Sequence, residues 1–292
     1  MSSKTKSYLQ RCTFLIPSVL LFIIFVIYPF VGGIYYSFTQ WDGLSAPMFT
    51  GFENYKRMFC DSSFLAALKN TLIFCAAIML VGNPVALLLA ILLNRPMKGV
   101  GFLRTVYYLP AVLSLMVVSI VWGTILGYNG ALNDILKILG MGGIVRDWIS
   151  DFTFALPTLI LITIWGGTGY SAVIYLAGLQ SIPKELYESG AVDGVNAWEK
   201  FRYITLPMLM PSITVVTFLC LSGGLKIFDL PYLMTHGGPG NATVTLAMKV
   251  YTLAFTDMNY GYATAASIVL FVLTMAASIL QIYITRSKET EV

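Results

Sequence analysis

Six apolar runs, at residues 14–38, 68–93, 102–126, 154–179, 208–228 and 263–285, constrain this chain more than any other feature. A helix that crosses a bilayer needs about 20 apolar residues. Each run reaches that length, and backbone facing lipid must satisfy its own hydrogen bonds within the segment. The runs therefore predict an all-α polytopic membrane protein with six transmembrane helices. Composition agrees: 57% of residues are hydrophobic and 11% are charged, against about 25% charged in soluble domains. The 14% aromatic content suits interfacial belts.

The first run is too long for a signal peptide, whose apolar core is about 7–15 residues, and no small-residue cleavage pattern follows it. It reads as an uncleaved span bent by Pro17 and Pro29. Asn83-Pro84 interrupts the second run, and Pro110 lies in the third. Positive charge sets orientation. With both termini cytoplasmic, the inner segments hold Lys4, Lys6, Arg11, Arg95, Lys98, Arg104, Lys184, Lys200, Arg202, Arg286 and Lys288, which is 11 of the 18 Lys and Arg. The net charge of +4 then follows from the inner loops and calls for no nucleic acid. Residues 1–13 and 286–292 become cytoplasmic tails, and the polar loop 180–207 between the fourth and fifth spans faces the cytoplasm.

Several chemistries are disfavoured. Cys12, Cys60, Cys75 and Cys220 have no metal-ligand spacing and read as small packing residues. The only histidine, His236, argues against zinc-protease and Ser-His chemistry. No P-loop pattern is present, so the chain has no nucleotide site of that kind, and no cofactor or metal is expected. The two halves show no repeat, which favours one half of a dimeric pore over a stand-alone transporter. Seven residues after the last span leave little room for a regulatory domain.

Residues 180–211, QSIPKELYESGAVDGVNAWEKFRYITLPMLMP, read as two short helices joined by a tight turn. Ser181 and Pro183 fit a helix start. Leu186, Tyr187 and Ala191 form an apolar stripe on the first helix. Asp193-Gly194 is a turn dipeptide, because glycine accepts positive φ without steric cost. Asn196 followed by Glu199 forms a capping-box pattern that opens the second helix. Pro207 and Pro211 lead into the next apolar run.

The spacing Glu188, Gly190, Ala191, Asp193, Gly194, nine residues, then Ile204, Leu206 and Pro207 resembles the EAA loop of the membrane subunits of ABC importers, EAA-x3-G-x9-I-x-LP. Ser189 and Gly190 stand where that family prefers two alanines; both are small, although Gly190 weakens a helix by roughly 1 kcal/mol. The resemblance implies that this loop docks on a separate ATPase and carries its motion. It also implies a second homologous permease, in a heterodimer, two ATPase copies and an extracytoplasmic binding protein, all at a prokaryotic cell membrane. Residues 14–285 would form the permease domain.

A second stretch, Thr235, Gly237, Gly238, Pro239, Tyr251, Ala254, Phe255, Gly261 and Ala263, is similar to the carbohydrate branch of these permeases, the maltose and glycerol-3-phosphate type. GFENY at 51–55 and FLRTVYYLPAVLS at 102–114 share that likeness. This implies sugar as the solute. Read from the residues alone, Thr235–Gly240 is equally a structural turn or a substrate contact.

Sugars are bound by hydrogen bonds to hydroxyls and by aromatic rings, so pathway candidates are polar or aromatic groups inside the bundle. Trp165, Gly167 and Tyr170 in the fourth span read either as tight helix packing or as the wall of a cavity. In the fifth span, Ser222 and Gly224 precede Lys226. An ionisable residue in a span faces the interior and marks a site or a pair. Lys226 and Asp229, three apart, would neutralise each other on one helix, or Lys226 would touch solute. Asn83 is a further candidate, or satisfies backbone freed by Pro84. The competing functions are an importer of the same type for a non-sugar solute such as glycerol phosphate, and a membrane enzyme or scaffold. The Gly-Gly-Pro cluster disfavours a polyamine permease. An enzyme lacks its nucleophile here, and a scaffold leaves the loop spacing unexplained.

Overall fold

Helices carry every long apolar run, because only a helix satisfies a spanning segment's backbone from within. The computed structural model describes residues 15–287. The expected tail 1–13, with Lys4, Lys6, Arg11 and Cys12, and Lys288 with the rest of the end, lie outside the described residues. The elements are α1 (Leu15–Ser37), β1 (Thr39–Gln40), β2 (Met48–Phe49), α2 (Glu53–Cys60), α3 (Ser62–Leu93), α4 (Val100–Val112), α5 (Leu115–Leu126), α6 (Ala131–Ile138) and α7 (Ala155–Ser181). They continue with α8 (Lys184–Val192), α9 (Ala197–Met208), α10 (Met210–Leu225), α11 (Asp229–Thr235), α12 (Leu246–Phe255) and α13 (Tyr260–Arg286).

Among the described residues, 5 apolar helical stretches are long enough to cross a membrane: α1, α3, the stretch Leu115–Ile138 that joins α5 and α6, α7 and α13. The pair α9 and α10, bent by 71° at Leu209, makes a sixth when counted as one span. Two expected spans need correction. The run 102–126 is not one helix: α4 ends at Val112, and Leu113 and Ser114 are extended with ψ of 141° and 133° before α5 begins. Pro110, which lacks a donor and crowds the preceding turn, weakens the helix just upstream of that break. The run 208–228 is not one helix either: Met208 ends α9, the chain bends at Leu209, and α10 stops at Leu225. The chain is also not purely helical: β1 and β2 form a small antiparallel ribbon, Thr39 opposite Phe49 and Gln40 opposite Met48.

Prolines inside the long helices are absorbed in one recurring way. The turn before Pro29 is widened, with the Tyr28 N–H bonded to Ile23 O. The same five-residue reach precedes Pro84 (Asn83 N–H to Ile78 O) and Pro207 (Leu206 N–H to Phe201 O). A widened turn moves the carbonyl that the ring would strike and re-satisfies backbone groups, so the helix continues.

The described chain divides into two units, one running to Asp61 and including Val250–Val269, the other spanning Ser62–Lys249 and Leu270 onward. In the first, the GFENY residues act as a clasp. The Asn54 Nδ2 donates to Ser37 O (2.9 Å) and Thr39 O (2.8 Å), and the Tyr55 hydroxyl donates to Ser37 Oγ (2.8 Å). Tyr262 is fully buried, donates to Asp61 Oδ2 at 2.9 Å and lies under the Arg57 guanidinium, 4.6 Å from its ring centre. A Cβ on Gly261 would stand 2.0 Å from Thr39 O, so glycine is required there.

The second unit is built around α7. One core cluster joins Ala86 and Ala90 of α3, Tyr175, Leu176 and Leu179 of α7, and Leu209 and Val216 at and within α10. Another joins Phe74, Val118, Leu159, Ile162 and Leu230. Close approach at small residues holds these helices, as expected where lipid tails compete with any apolar side chain. A Cβ on Gly169 would lie 2.0 Å from Tyr107 O, and one on Gly224 would lie 2.9 Å from Cys75 Cα. Cys60, Cys75 and Cys220 are free thiols, the latter two in the packing.

Candidate functional site: a polar helical pair and a membrane cavity

The turn at Asp193-Gly194 closes α8 through its backbone. Gly194 has φ +75°, its N–H bonds Ala191 O, and the Val195 N–H bonds Gly190 O at 3.0 Å. These two bonds form a Schellman closure, which leaves the left-handed residue to glycine. Asn196 then caps α9. Its Oδ1 accepts from the Trp198 and Glu199 N–H groups, and Glu199 Oε2 accepts from the Asn196 N–H at 2.9 Å. The capping box read from the sequence is therefore in place. The Tyr187 and Thr205 hydroxyls meet at 3.1 Å and tie α8 to α9.

The eight residues expected to act in this loop divide by burial. Gly190 is buried, and a Cβ there would meet Ile204 Cδ1 at 2.9 Å. Ile204, Leu206 and Pro207 are half-buried, while Glu188, Ala191, Asp193 and Gly194 are exposed. Gly190 and Ile204 meet in the seam between α8 and α9, and the four exposed residues lie outside it. Sequence reading missed the apolar part of that exposed face. Val192 is 89% exposed, Trp198 67% and Tyr203 70%. A tryptophan in a polar stretch was the available signal.

A cavity of about 760 Å³ lies among α3, α4, α5, α7, α10 and α11. Five of the six pathway candidates line it: Gly167, Tyr170, Ser222, Gly224 and Lys226. Trp165 does not. Its ring packs edge-on against Trp122, 5.3 Å between centres. The glycines have different roles: Gly166 and Gly167 open onto the cavity, and a Cβ on either would meet nothing within 4 Å, whereas Gly169 is a contact glycine. Thr163, Ser171, Phe228 and Asp229 also line the cavity and were not chosen from the sequence as pathway groups.

The expected helical pairing of Lys226 with Asp229 does not occur. α10 ends at Leu225 and α11 begins at Asp229, so the two are not on one helical face. Among the described residues the ion pairs are Lys56–Glu53 and Lys137–Asp134. Asn83, next to the cavity-lining Gly82, bonds side chains rather than freed backbone. Its Nδ2 donates to Thr217 Oγ1 at 3.2 Å and its Oδ1 accepts from the Tyr175 hydroxyl.

The Thr235–Gly240 stretch is a structural knot. The Thr235 and Thr243 hydroxyls meet at 2.7 Å, Thr243 Oγ1 donates to Gly238 O at 2.8 Å, and Asn70 Nδ2 donates to the Asn241 and Val244 carbonyls. None of Thr235 to Gly240 lines the cavity.

Residues 82–289, which contain both the helical pair and most of the cavity wall, match the family described as the binding-protein-dependent transport system inner membrane component. The chain belongs to this family. As a family member it is a multi-pass inner membrane protein and a transport subunit. It is 34% identical to a probable starch degradation products transport system permease protein of Thermoanaerobacterium thermosulfurigenes, over 95% of this chain and 94% of that protein. It is 33% identical to the lactose transport system permease protein of Rhizobium radiobacter, over 99% and 100%. Its fold matches a chain of a bacterial alginate ABC transporter in complex with an alginate pentasaccharide-bound periplasmic protein, with a TM-score of 0.85, 26% identity, and coverage of 99% and 98%.

Proposed function

We propose that this family member is the permease subunit of an ATP-driven ABC importer that moves a sugar delivered by an extracytoplasmic binding protein. Support for sugar comes from the relatives named for starch products and lactose, and support for a binding protein from the complex matched in fold. Both termini lie in the cytoplasm, so that α8 and α9 face it. The chain pairs with a second, homologous permease, and two copies of a separate ATPase supply the hydrolysis that this chain has no P-loop to perform.

One observation carries the mechanical reading. α9 joins α10 through the 71° bend at Leu209, and α10 supplies Leu219, Cys220, Ser222, Gly223 and Gly224 to the cavity wall. Motion imposed on the helical pair has a short covalent route to the cavity. Glu188, Ala191, Asp193 and Gly194, with Val192, Trp198 and Tyr203, form the tip that enters the ATPase. Gly190, Ile204, Leu206 and Pro207 keep the pair rigid. Closure of the ATPases on ATP then turns the cavity outward by a rigid-body shift. Gly167, Tyr170, Ser222, Gly224 and Lys226 lie on the sugar's path.

The test reconstitutes the chain with its partner permease, ATPase and binding protein in vesicles. Gly194→Trp strains a left-handed turn and adds bulk at the exposed tip. The expected result is lost sugar uptake with the complex still inserted. Normal uptake together with normal stimulated ATP hydrolysis would sink the coupling role.

A further inference from the structure

Lys226 and Asp229 are the two charged residues in the cavity wall. Both are exposed, and among the described residues neither is in an ion pair. They flank the helix break at Ile227-Phe228, which turns both into the region lined by Ser222 and Tyr170. An ionisable residue beside the end of a span is retained where it meets a partner or a water-filled path. Two opposite charges on one wall, not neutralising each other, leave separate donor and acceptor demands.

The chemistry of those demands is selective. An ammonium only donates hydrogen bonds and a carboxylate only accepts them. A sugar hydroxyl does both, so an uncharged ring can accept from Lys226 and donate to Asp229 with bonds of the stronger, charge-assisted kind. A sugar carboxylate can only accept. It would gain Lys226 but be repelled by Asp229. We infer that the cavity is set for uncharged, polyhydroxylated sugars and that Asp229 discriminates against acidic ones. The inference rests on the cavity being the sugar path proposed above.

The test uses the full transporter, with both permeases and the ATPases, in nanodiscs. A Ser222→Cys change places a thiol on the cavity wall, and mass spectrometry follows its alkylation by a polar maleimide. Maltose and lactose serve as uncharged probes and digalacturonate as the acidic one, at equal concentration. ATP hydrolysis confirms that each variant complex is assembled. The uncharged disaccharides are expected to protect the thiol about tenfold better than digalacturonate, the scale of one hydrogen bond to a charged group. Asp229→Asn should erase that difference, and Lys226→Gln should weaken protection by every sugar. Equal protection by both sugar types, or a preference untouched by Asp229→Asn, overturns the discrimination and leaves the cavity as the path. If no sugar protects the thiol while the same complex, placed in vesicles, still takes up sugar, the cavity is not the path: the path assignment and the discrimination both fall, and the importer reading stands.

Discussion

Gly167 and Gly169 sit two residues apart on α7 and do opposite things. Gly169 lets α4 approach, and a methyl there would meet a carbonyl oxygen at 2.0 Å. Gly169→Ala should therefore destabilise the protein by about 1–3 kcal/mol, as overpacking does, read as a lower Tm in detergent. Gly167 faces open space. Gly167→Ala should gain up to about 1 kcal/mol of helix propensity and still reduce uptake, because it narrows the cavity. A Gly167→Ala protein that is less stable, or fully active, would contradict this division. Asp42 shows a different single-residue effect. Its Oδ1 accepts from the Ser45 hydroxyl at 2.7 Å and from the Ser45 and Leu44 N–H groups, and these bonds hold the carboxyl down from 3.8 to about 2. A depressed carboxyl stabilises the folded loop above the ordinary value and loses that contribution as pH falls through the folded one. Amide protection at Leu44 and Ser45 should hold from neutral pH to pH 3.8 and be lost as pH falls through about 2.

At the scale of elements, helix ends decide what the long runs become. The break between α10 and α11 separates Lys226 from Asp229 and turns an expected neutral pair into two available charges. Widened turns before Pro29, Pro84 and Pro207 let three helices run through residues that would otherwise stop them. The helical pair α8–α9 depends on its caps in the same way. Asn196→Ala removes both acceptor bonds to the first turn of α9 and should cost about 1 kcal/mol. Because Asn196 lies outside the buried seam at Gly190 and Ile204, the variant should fold but bind the ATPase less well. Co-purification yield, with circular dichroism as the folding control, checks this. Undiminished ATPase recovery would mean that the α9 cap does not matter to docking.

For the whole molecule, α1 is the outlier. Its most apolar window has a mean hydropathy of 2.5 and none of it is buried within the chain, whereas the α7 window is 33% buried. A span with no burial of its own is available to lipid or to another subunit. With the proposed second permease present, photo-crosslinkers at Leu20 and Ile24 should capture that subunit. Adducts with lipid alone at both positions would remove α1 from the subunit interface.

The sequence by itself determined the membrane class, the positions of most helices and the geometry of the helical pair, because those depend on local quantities. Run length fixes a span, a left-handed glycine fixes a turn, and Asn196 with Glu199 fixes a cap. GFENY was visible as a motif, though its clasp on Ser37 and Thr39 was not. What only the tertiary structure decided concerns distance between helices. Trp165 and Gly167 differ by two residues, yet one meets Trp122 and the other the cavity. Asn83 finds Thr217 and Tyr175 from two other helices, and Thr235–Gly240 proves to be a knot anchored by Asn70 and Thr243. Such outcomes depend on which faces of which helices approach, and periodicity carries little of that information when every face of a membrane helix is apolar.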